Sequence, residues 1–375
     1  MRVGFDGRWY NHSGVGIYVY GLARAMREYV PDLDFIIYEY EDNPLPDLGR
    51  PYERRIVKKP KYSVAGQLEI AGCCKHDKLD VFHAPFYLVP VLASCPIIVT
   101  IHDLMPFLFR IYSWPHQMIV KMGYRMAAKR AARIIAVSRH SAGDLQRIMH
   151  IPAERISAIS HGPLHSFTPG ATPSEQLYLA ERYGIKTPYV LTLSFTNWKT
   201  KNVDVALKAM LAAAQMGAAF QPVVVGAAIG LANCAEEVSR LKPLVTGYVP
   251  FDDLPMLYRN AAVFVCASAY EGLGMPVLEA MASGCAVVTS SGGSLPEVAG
   301  PGAVLVPTGD ADAMGSAIYR LLSDDAERRR VRCSGIRRAE QFSWREVAYQ
   351  TRAVYEAARR QRVLPLSDVL GLKGA

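Results

Sequence analysis

An α/β chain made of two doubly wound parallel-sheet units is expected from three features. Short apolar runs alternate with longer helical patterns, as they do where helices cover both faces of a parallel sheet. The alternation runs through once, meets a turn-rich stretch near residue 170, and starts again. The chain has 375 residues, more than one ordinary core holds at roughly 100–200 residues per domain.

In chain order, the first series has strand-like runs at 2–6, 34–39, 80–83, 97–101, 133–137 and 156–160, with helical patterns at 16–28, 64–75, 116–131 and 141–148. The second has strand-like runs at 189–193, 223–225, 244–246, 263–265, 286–288 and 303–305, each followed by a Gly-, Pro- or Ser-bearing turn and a helical segment. Residues 167–174 have the composition of a linker. The expected organisation is a Rossmann-like domain over 1–168, a linker over 169–186, a second Rossmann-like domain over 187–342, and a long amphipathic helix with a tail over 343–375 that crosses back to the first domain. Such sheets bind ligands beyond the carboxyl ends of their strands, and two facing units would leave a cleft between them.

Half the residues are apolar and a fifth are charged, which excludes a mostly disordered chain. Seven cysteines without a C-x-x-C pair argue against a disulfide framework or a zinc ribbon and for a reducing compartment. The opening residues show no basic start followed by a long apolar stretch, so no secretory leader is expected. The longest run free of charged residues, 209–235, is cut by Gln215, Gly217, Pro222 and Gly226, so no membrane-spanning helix is expected.

The net charge is +8. From Leu104 to Gly143 there is no acid, while Arg110, Lys121, Arg125, Lys129, Arg130, Arg133 and Arg139 are interleaved with Tyr112, Trp114, Met118, Ile119, Met122, Tyr124 and Met126. Three readings fit: an interfacial helix on anionic lipid, a groove for a polyanion, or a solvated helix face with its apolar stripe on the core.

The stretch from Ala269 to Gly284 carries the chemistry. A strand ends before a Gly-bearing loop, Pro276 suits the first turn of a helix and Gly284 its end. Gly272 and Gly274 let the backbone approach a ligand, and the free amides of a helix start favour an anion such as a diphosphate. Glu271 and Glu279 flank that start, and carboxylates there suit neutral hydroxyls of the same ligand. A nucleotide-sugar has both the anion and the hydroxyls. Read alone, the two acids are an ordinary loop acid and a first-turn acid.

The pair Glu271-x7-Glu279 around Gly-Leu-Gly-Met-Pro-Val-Leu resembles the signature of the family 4 retaining glycosyltransferases, which have the GT-B fold. Ser13-Gly14-Val15-Gly16, Thr100-Ile101-His102-Asp103-Leu104, Ser138-Arg139-His140-Ser141, His161-Gly162, Lys201-Asn202 and Ser294-Leu295-Pro296-Glu297-Val298 match in order and position. The resemblance implies that Glu279 holds the donor ribose, that Glu271 binds hydroxyls of the transferred sugar, and that the amides of Gly272, Leu273, Gly274 and Met275 receive the diphosphate or the sugar. It also implies that Lys201 offsets the charge of the leaving diphosphate, that Gly14 and Gly16 approach the phosphate, and that His102 meets the donor sugar. The family's arginine before the lysine is missing from residues 194–201, where Lys199 is the other cation.

Phe5-Asp6-Gly7-Arg8 and the 100–104 segment look most like bacterial mannosyltransferases of this family, which implies GDP-mannose, with a UDP-sugar as the alternative. The implied acceptor is a glycan or polyprenyl-linked glycan of cell-surface polysaccharide or glycoconjugate synthesis. The implied location is cytoplasmic and peripheral at the inner face of the membrane, through 104–139. Gly14-x-Gly16 and Gly272-x-Gly274 lack the third glycine of a dinucleotide fingerprint. Asp32-Leu33-Asp34 and Asp310-Ala311-Asp312 read as solvated turns, so no metal is expected to be required. The competing readings are a nucleotide-sugar epimerase or hydrolase on the same scaffold, and a basic nucleic-acid-binding protein, neither favoured; no nucleic acid is expected as a partner.

Overall fold

The computed structural model describes residues 1–11, 13–194, 198–227 and 235–361. The chain divides into two compact units, Met1–His161 with Ser343–Ala375, and Gly162–Phe342.

The first unit holds a seven-stranded parallel sheet of β1 (Arg2–Asp6), β2 (Asp34–Glu39), β3 (Glu53–Ile56), β4 (Val81–Ala84), β5 (Ile97–Ile101), β6 (Ala131–Ala136) and β7 (Ile156–Ala158), in the order β3-β2-β1-β4-β5-β6-β7. Both faces of a parallel sheet are covered, so its strands are near-continuous apolar runs. Ile36, Phe82, Ile97, Val99 and Ile134 are fully buried accordingly. The strand order reverses between β1 and β4, and the crevice beyond the carboxyl ends at such a reversal is where doubly wound sheets take ligands. β3 was not expected from the sequence. Its Glu53, Arg54 and Arg55 suit an edge strand, where charge deters pairing with another chain, and Arg55 reaches Asp77 at 2.5 Å.

The helix Trp344–Arg359 completes this unit. Trp344, Val347, Ala348, Thr351, Val354, Tyr355 and Ala358 recur at helical spacing and are buried. A Cβ at Gly21 would lie 2.2 Å from the Trp344 ring, so the indole fills the space the glycine leaves. Tyr355 bonds through its hydroxyl to His83 Nδ1 at 2.8 Å.

The second unit holds a six-stranded parallel sheet of β8 (Tyr189–Ser194), β9 (Gln221–Gly226), β10 (Leu244–Val245), β11 (Val263–Cys266), β12 (Ala286–Ser290) and β13 (Val304–Val306), in the order β10-β9-β8-β11-β12-β13. Here the reversal falls between β8 and β11. Helices Val203–Gln215 and Ala311–Ser323 cover one face so closely that a Cβ at Gly315 would lie 2.8 Å from the Ala209 carbonyl oxygen.

Two expected boundaries are corrected. The division falls between His161 and Gly162, not at 168, and the stretch 169–186 contains a helix, Pro173–Tyr183, that belongs to the second unit. Thr172 and Glu175 cap it reciprocally. Glu175 then pairs with Arg259 (2.5 Å) and Asn260 (3.0 Å), fastening the helix to Leu254–Asn260.

Candidate active site

The sheet reversal in the second unit brings together two turns that the sequence separates by 70 residues. After β8, the short helix Trp198–Lys201 ends on Lys201. After β11, the chain turns through 268–274 into the helix Met275–Ala282. Ala269 N–H donates to Thr200 O at 2.7 Å and joins the two turns.

Gly274 caps the helix with φ +86° and ψ 43°, a left-handed conformation that a residue with a Cβ resists. Pro276 has no N–H, and Val277 N–H donates to Gly274 O at 3.0 Å. The helix mouth therefore presents the amides of Gly274 and Met275.

Glu271 is buried and held at both ends. Its Oε1 accepts from Lys201 Nζ (2.5 Å) and Ser268 Oγ (2.7 Å). Its carbonyl oxygen accepts from the Ser294 amide and hydroxyl, each at 3.0 Å. A Cβ at Gly293, where φ is +59°, would lie 2.5 Å from that same carbonyl oxygen, and one at Gly292 would lie 2.4 Å from those of Ser268 and Ala269. Residues 290–294 thus form the bed on which the Glu271 turn rests. The sequence reading missed this role, although the paired glycines between a strand and a helix carry the signal.

Glu279 sits one turn inside the helix and is buried, with Oε2 accepting from Tyr258 OH at 3.1 Å. Burial pushes its carboxyl from 4.5 up to about 7, while the Tyr258 hydrogen bond and the Lys201 charge pull the other way. A carboxyl raised in the folded state favours folding while protonated. Its contribution is unopposed below 4.5 and falls as pH rises towards about 7, by about 3 kcal/mol. Glu279→Gln is therefore expected to gain stability over the wild type at pH 8 and little at pH 5. Thermal denaturation at both values checks this, and an equal difference at the two pH values would refute it.

In the first unit, Gly14 and Gly16 both lie within the first turn of Ser13–Tyr29. Gly14 is exposed with open space at its Cβ position, whereas a Cβ at Gly16 would lie 1.8 Å from Tyr10 O. Gly16 is thus dictated by packing. His102 follows β5, and its Nε2 donates to Pro85 O at 2.9 Å. Tyr18, from the helix that Gly14 and Gly16 open, meets the His102 ring edge-on at 5.1 Å. His83 beside it is structural: it bridges Thr100 and Tyr355, and burial, with the neighbouring His102, pushes it down to about 3. The Lys199 side chain lies outside the described residues.

Three of the four aspartates of the two Asp pairs make structural contacts. Asp32 meets Arg352 at 2.9 Å, Asp34 meets Arg2 at 3.4 Å, and Asp310 caps Ala311–Ser323. Among the described residues no group of three His, Cys, Asp or Glu could hold a metal ion, and no helix is long and apolar enough to cross a membrane.

Two family models match the chain, Glycosyltransferase Family 4 over residues 12–162 and Glycosyl transferases group 1 over 187–324. The chain is 30% identical over 285 residues to the O-antigen chain mannosyltransferase B of Escherichia coli, covering 74% of each. It belongs to the family 4 glycosyltransferases. This glycosyltransferase also resembles solved structures along its length. The sucrose-phosphate synthase of Thermosynechococcus elongatus superposes with a TM-score of 0.73 at 19% identity, covering 95% of this chain and 98% of that one. Anabaena Alr3699/HepE in complex with UDP and glucose gives 0.73 at 19%, covering 95% and 99%. These likenesses show the GT-B fold. The first family match covers the Met1–His161 part of the first unit from residue 12 and runs one residue past its end, and the second falls within the second unit, so the glycosyltransferase has a parallel sheet of its own for each.

Proposed function

We propose that this glycosyltransferase moves mannose from GDP-mannose, with retention and without a required metal, to a glycan or polyprenyl-linked acceptor of cell-surface polysaccharide synthesis. The observation that carries the reading is the Lys201–Glu271 pair at the β8/β11 reversal, beside the amides of Gly274 and Met275 and below the buried Glu279. The likeness to the E. coli O-antigen mannosyltransferase supports the choice of sugar and of acceptor class.

The chemistry follows from charge. The bond between the anomeric carbon and the diphosphate oxygen breaks, and negative charge develops on that oxygen. Lys201 and the helix-start amides are fixed donors for it, which is worth more than mobile water in a partly buried site. The acceptor oxygen bonds to the anomeric carbon on the face the diphosphate leaves, and its proton passes to the departing diphosphate. Glu271 orients sugar hydroxyls and Glu279 the ribose, and His102 is the residue of the first unit that the family resemblance assigns to the sugar.

Thermal-shift measurements against nucleotides and nucleotide-sugars test the reading, because a ligand bound by the folded state alone raises the midpoint. GDP and GDP-mannose are expected to raise it more than UDP and UDP-glucose at equal concentration. The reverse ranking would replace the donor with a UDP-sugar. Consumption of donor in the absence of acceptor, at the rate seen with it, would favour a hydrolase.

Membrane contact is part of the proposal. On the helix Trp114–Arg130, Trp114, Met118, Ile119 and Met122 are exposed together with Arg125 and Lys129, and the surrounding stretch has no acid. Burying such side chains in a headgroup region is favourable, and the cations add attraction to anionic lipid. Arg130 takes no part, since it is buried and donates to Val91 O and Ala93 O. The full chain is expected to float with vesicles containing anionic lipid and to be released by Trp114→Ser with Ile119→Ser. Flotation unchanged by those substitutions would refute this contact.

A further inference from the structure

Beyond the carboxyl ends of β1, β4 and β5, the first unit gathers aromatic side chains that the donor chemistry does not use. Trp9 follows β1, Phe86 and Tyr87 follow β4, Tyr112 lies beyond β5, and Tyr62 beyond β3. Trp9 is buried and forms the floor, with Phe86 at 4.4 Å and Tyr62 edge-on at 5.5 Å. Phe86 packs on Tyr87 at 4.4 Å, and Lys61 Nζ lies 4.5 Å from the Trp9 ring centre. Tyr62 is 63% and Tyr112 39% exposed, so two walls of this basin are open to solvent.

Packing alone accounts for the rings but not for their hydroxyls, since phenylalanine would pack equally well. Among the described residues, the hydroxyls of Tyr62, Tyr87 and Tyr112 have no protein hydrogen-bond partner. They also converge. Burial raises the phenols of Tyr62 and Tyr87, and Tyr112 raises both further; Tyr112 is itself raised by burial and by the Asp103 carboxylate. The ring cluster lies beyond the β1/β4 reversal, where a doubly wound sheet takes a ligand, and Asp103 and Tyr112 lie on the segment that follows the adjacent β5.

We propose that Tyr62, Tyr87 and Tyr112, with Asp103, form the subsite for a neutral pyranose of the acceptor. A pyranose has an apolar C–H face that lies on an aromatic ring and hydroxyls around its rim. Phenols both donate and accept, and a carboxylate accepts, so the set matches the hydroxyls of a pyranose ring. The assignment rests on the glycosyltransferase activity and adds to it the class of acceptor residue bound.

The test uses the full chain and methyl α-D-mannopyranoside as probe, read by saturation-transfer NMR. The expected result is transfer to the ring protons in the wild type and a several-fold weaker signal in the triple variant Tyr62→Phe, Tyr87→Phe and Tyr112→Phe, which keeps every ring. No signal in the wild type, or an undiminished one in the triple variant, would overturn the subsite. GDP-mannose, followed in the same samples, separates the two readings. Equal donor signals in wild type and triple variant support a subsite distinct from the donor's. Loss of both signals together in the triple variant would overturn it as a general loss of fold. A wild type that takes the mannoside but no GDP-mannose would refute the donor while supporting the subsite.

Discussion

Lys201→Ala is expected to lower the transfer rate about 10²–10³-fold, the usual effect of removing one fixed donor from a developing oxyanion. The drop belongs in kcat more than in the acceptor KM, because the ammonium acts where the diphosphate gathers charge. The same substitution strips Glu271 of its partner, and breaking a partly buried pair costs about 3–5 kcal/mol. Stability therefore has to be measured beside activity. Lys201→Ala combined with Glu271→Gln removes the stranded carboxylate, and the double variant is expected to recover most of the lost stability without recovering transfer. Recovery of both would mean that the lysine serves the fold alone, and wild-type rates in Lys201→Ala would remove it from the chemistry.

Gly16→Ala is expected to be the most damaging single methyl group in the first unit. Its Cβ would lie 1.8 Å from a backbone carbonyl oxygen, which no rotamer change relieves. Either the first turn of Ser13–Tyr29 moves off Tyr10 or the preceding turn opens, and a loss of about 2–4 kcal/mol is the range for forced overpacking of this severity. Gly14→Ala meets open space and is expected to leave stability nearly unchanged. The pair separates two roles. If the Gly14 backbone approaches the donor phosphate, Gly14→Ala lowers activity at constant Tm. Chemical denaturation and initial rates on both variants decide it, and a Gly16→Ala protein as stable as wild type would contradict the packing argument.

The parallel architecture was legible because buried strands carry uninterrupted apolar runs such as 263–266 and 286–288. The elements that escaped reading follow other rules. Glu53–Ile56 is an edge strand whose charges hide its period. Pro173–Tyr183 begins with Pro and Ser and ends at a left-handed Gly184, so its flanks look like a linker, although Thr172-x-x-Glu175 spells a capping box. In the site, the Glu271–x7–Glu279 spacing marked the helix mouth. The contact of Lys201 with Glu271 was not readable, because it depends on how β8 and β11 lie side by side. At Gly16 the structure adds a packing demand that the motif alone did not show, since the Tyr10 carbonyl occupies the place of a Cβ.

The return of Trp344–Arg359 to the first unit bears on biosynthesis. While the ribosome is still making the second sheet, His83, Gly21 and the apolar surface around them lack the segment that covers them. The nascent amino-terminal lobe stays sticky for the interval needed to translate some 180 further residues, at about 5–20 residues per second. Chaperone dependence, and aggregation of chains that terminate early, are the traits such a threading order imposes on a producing cell.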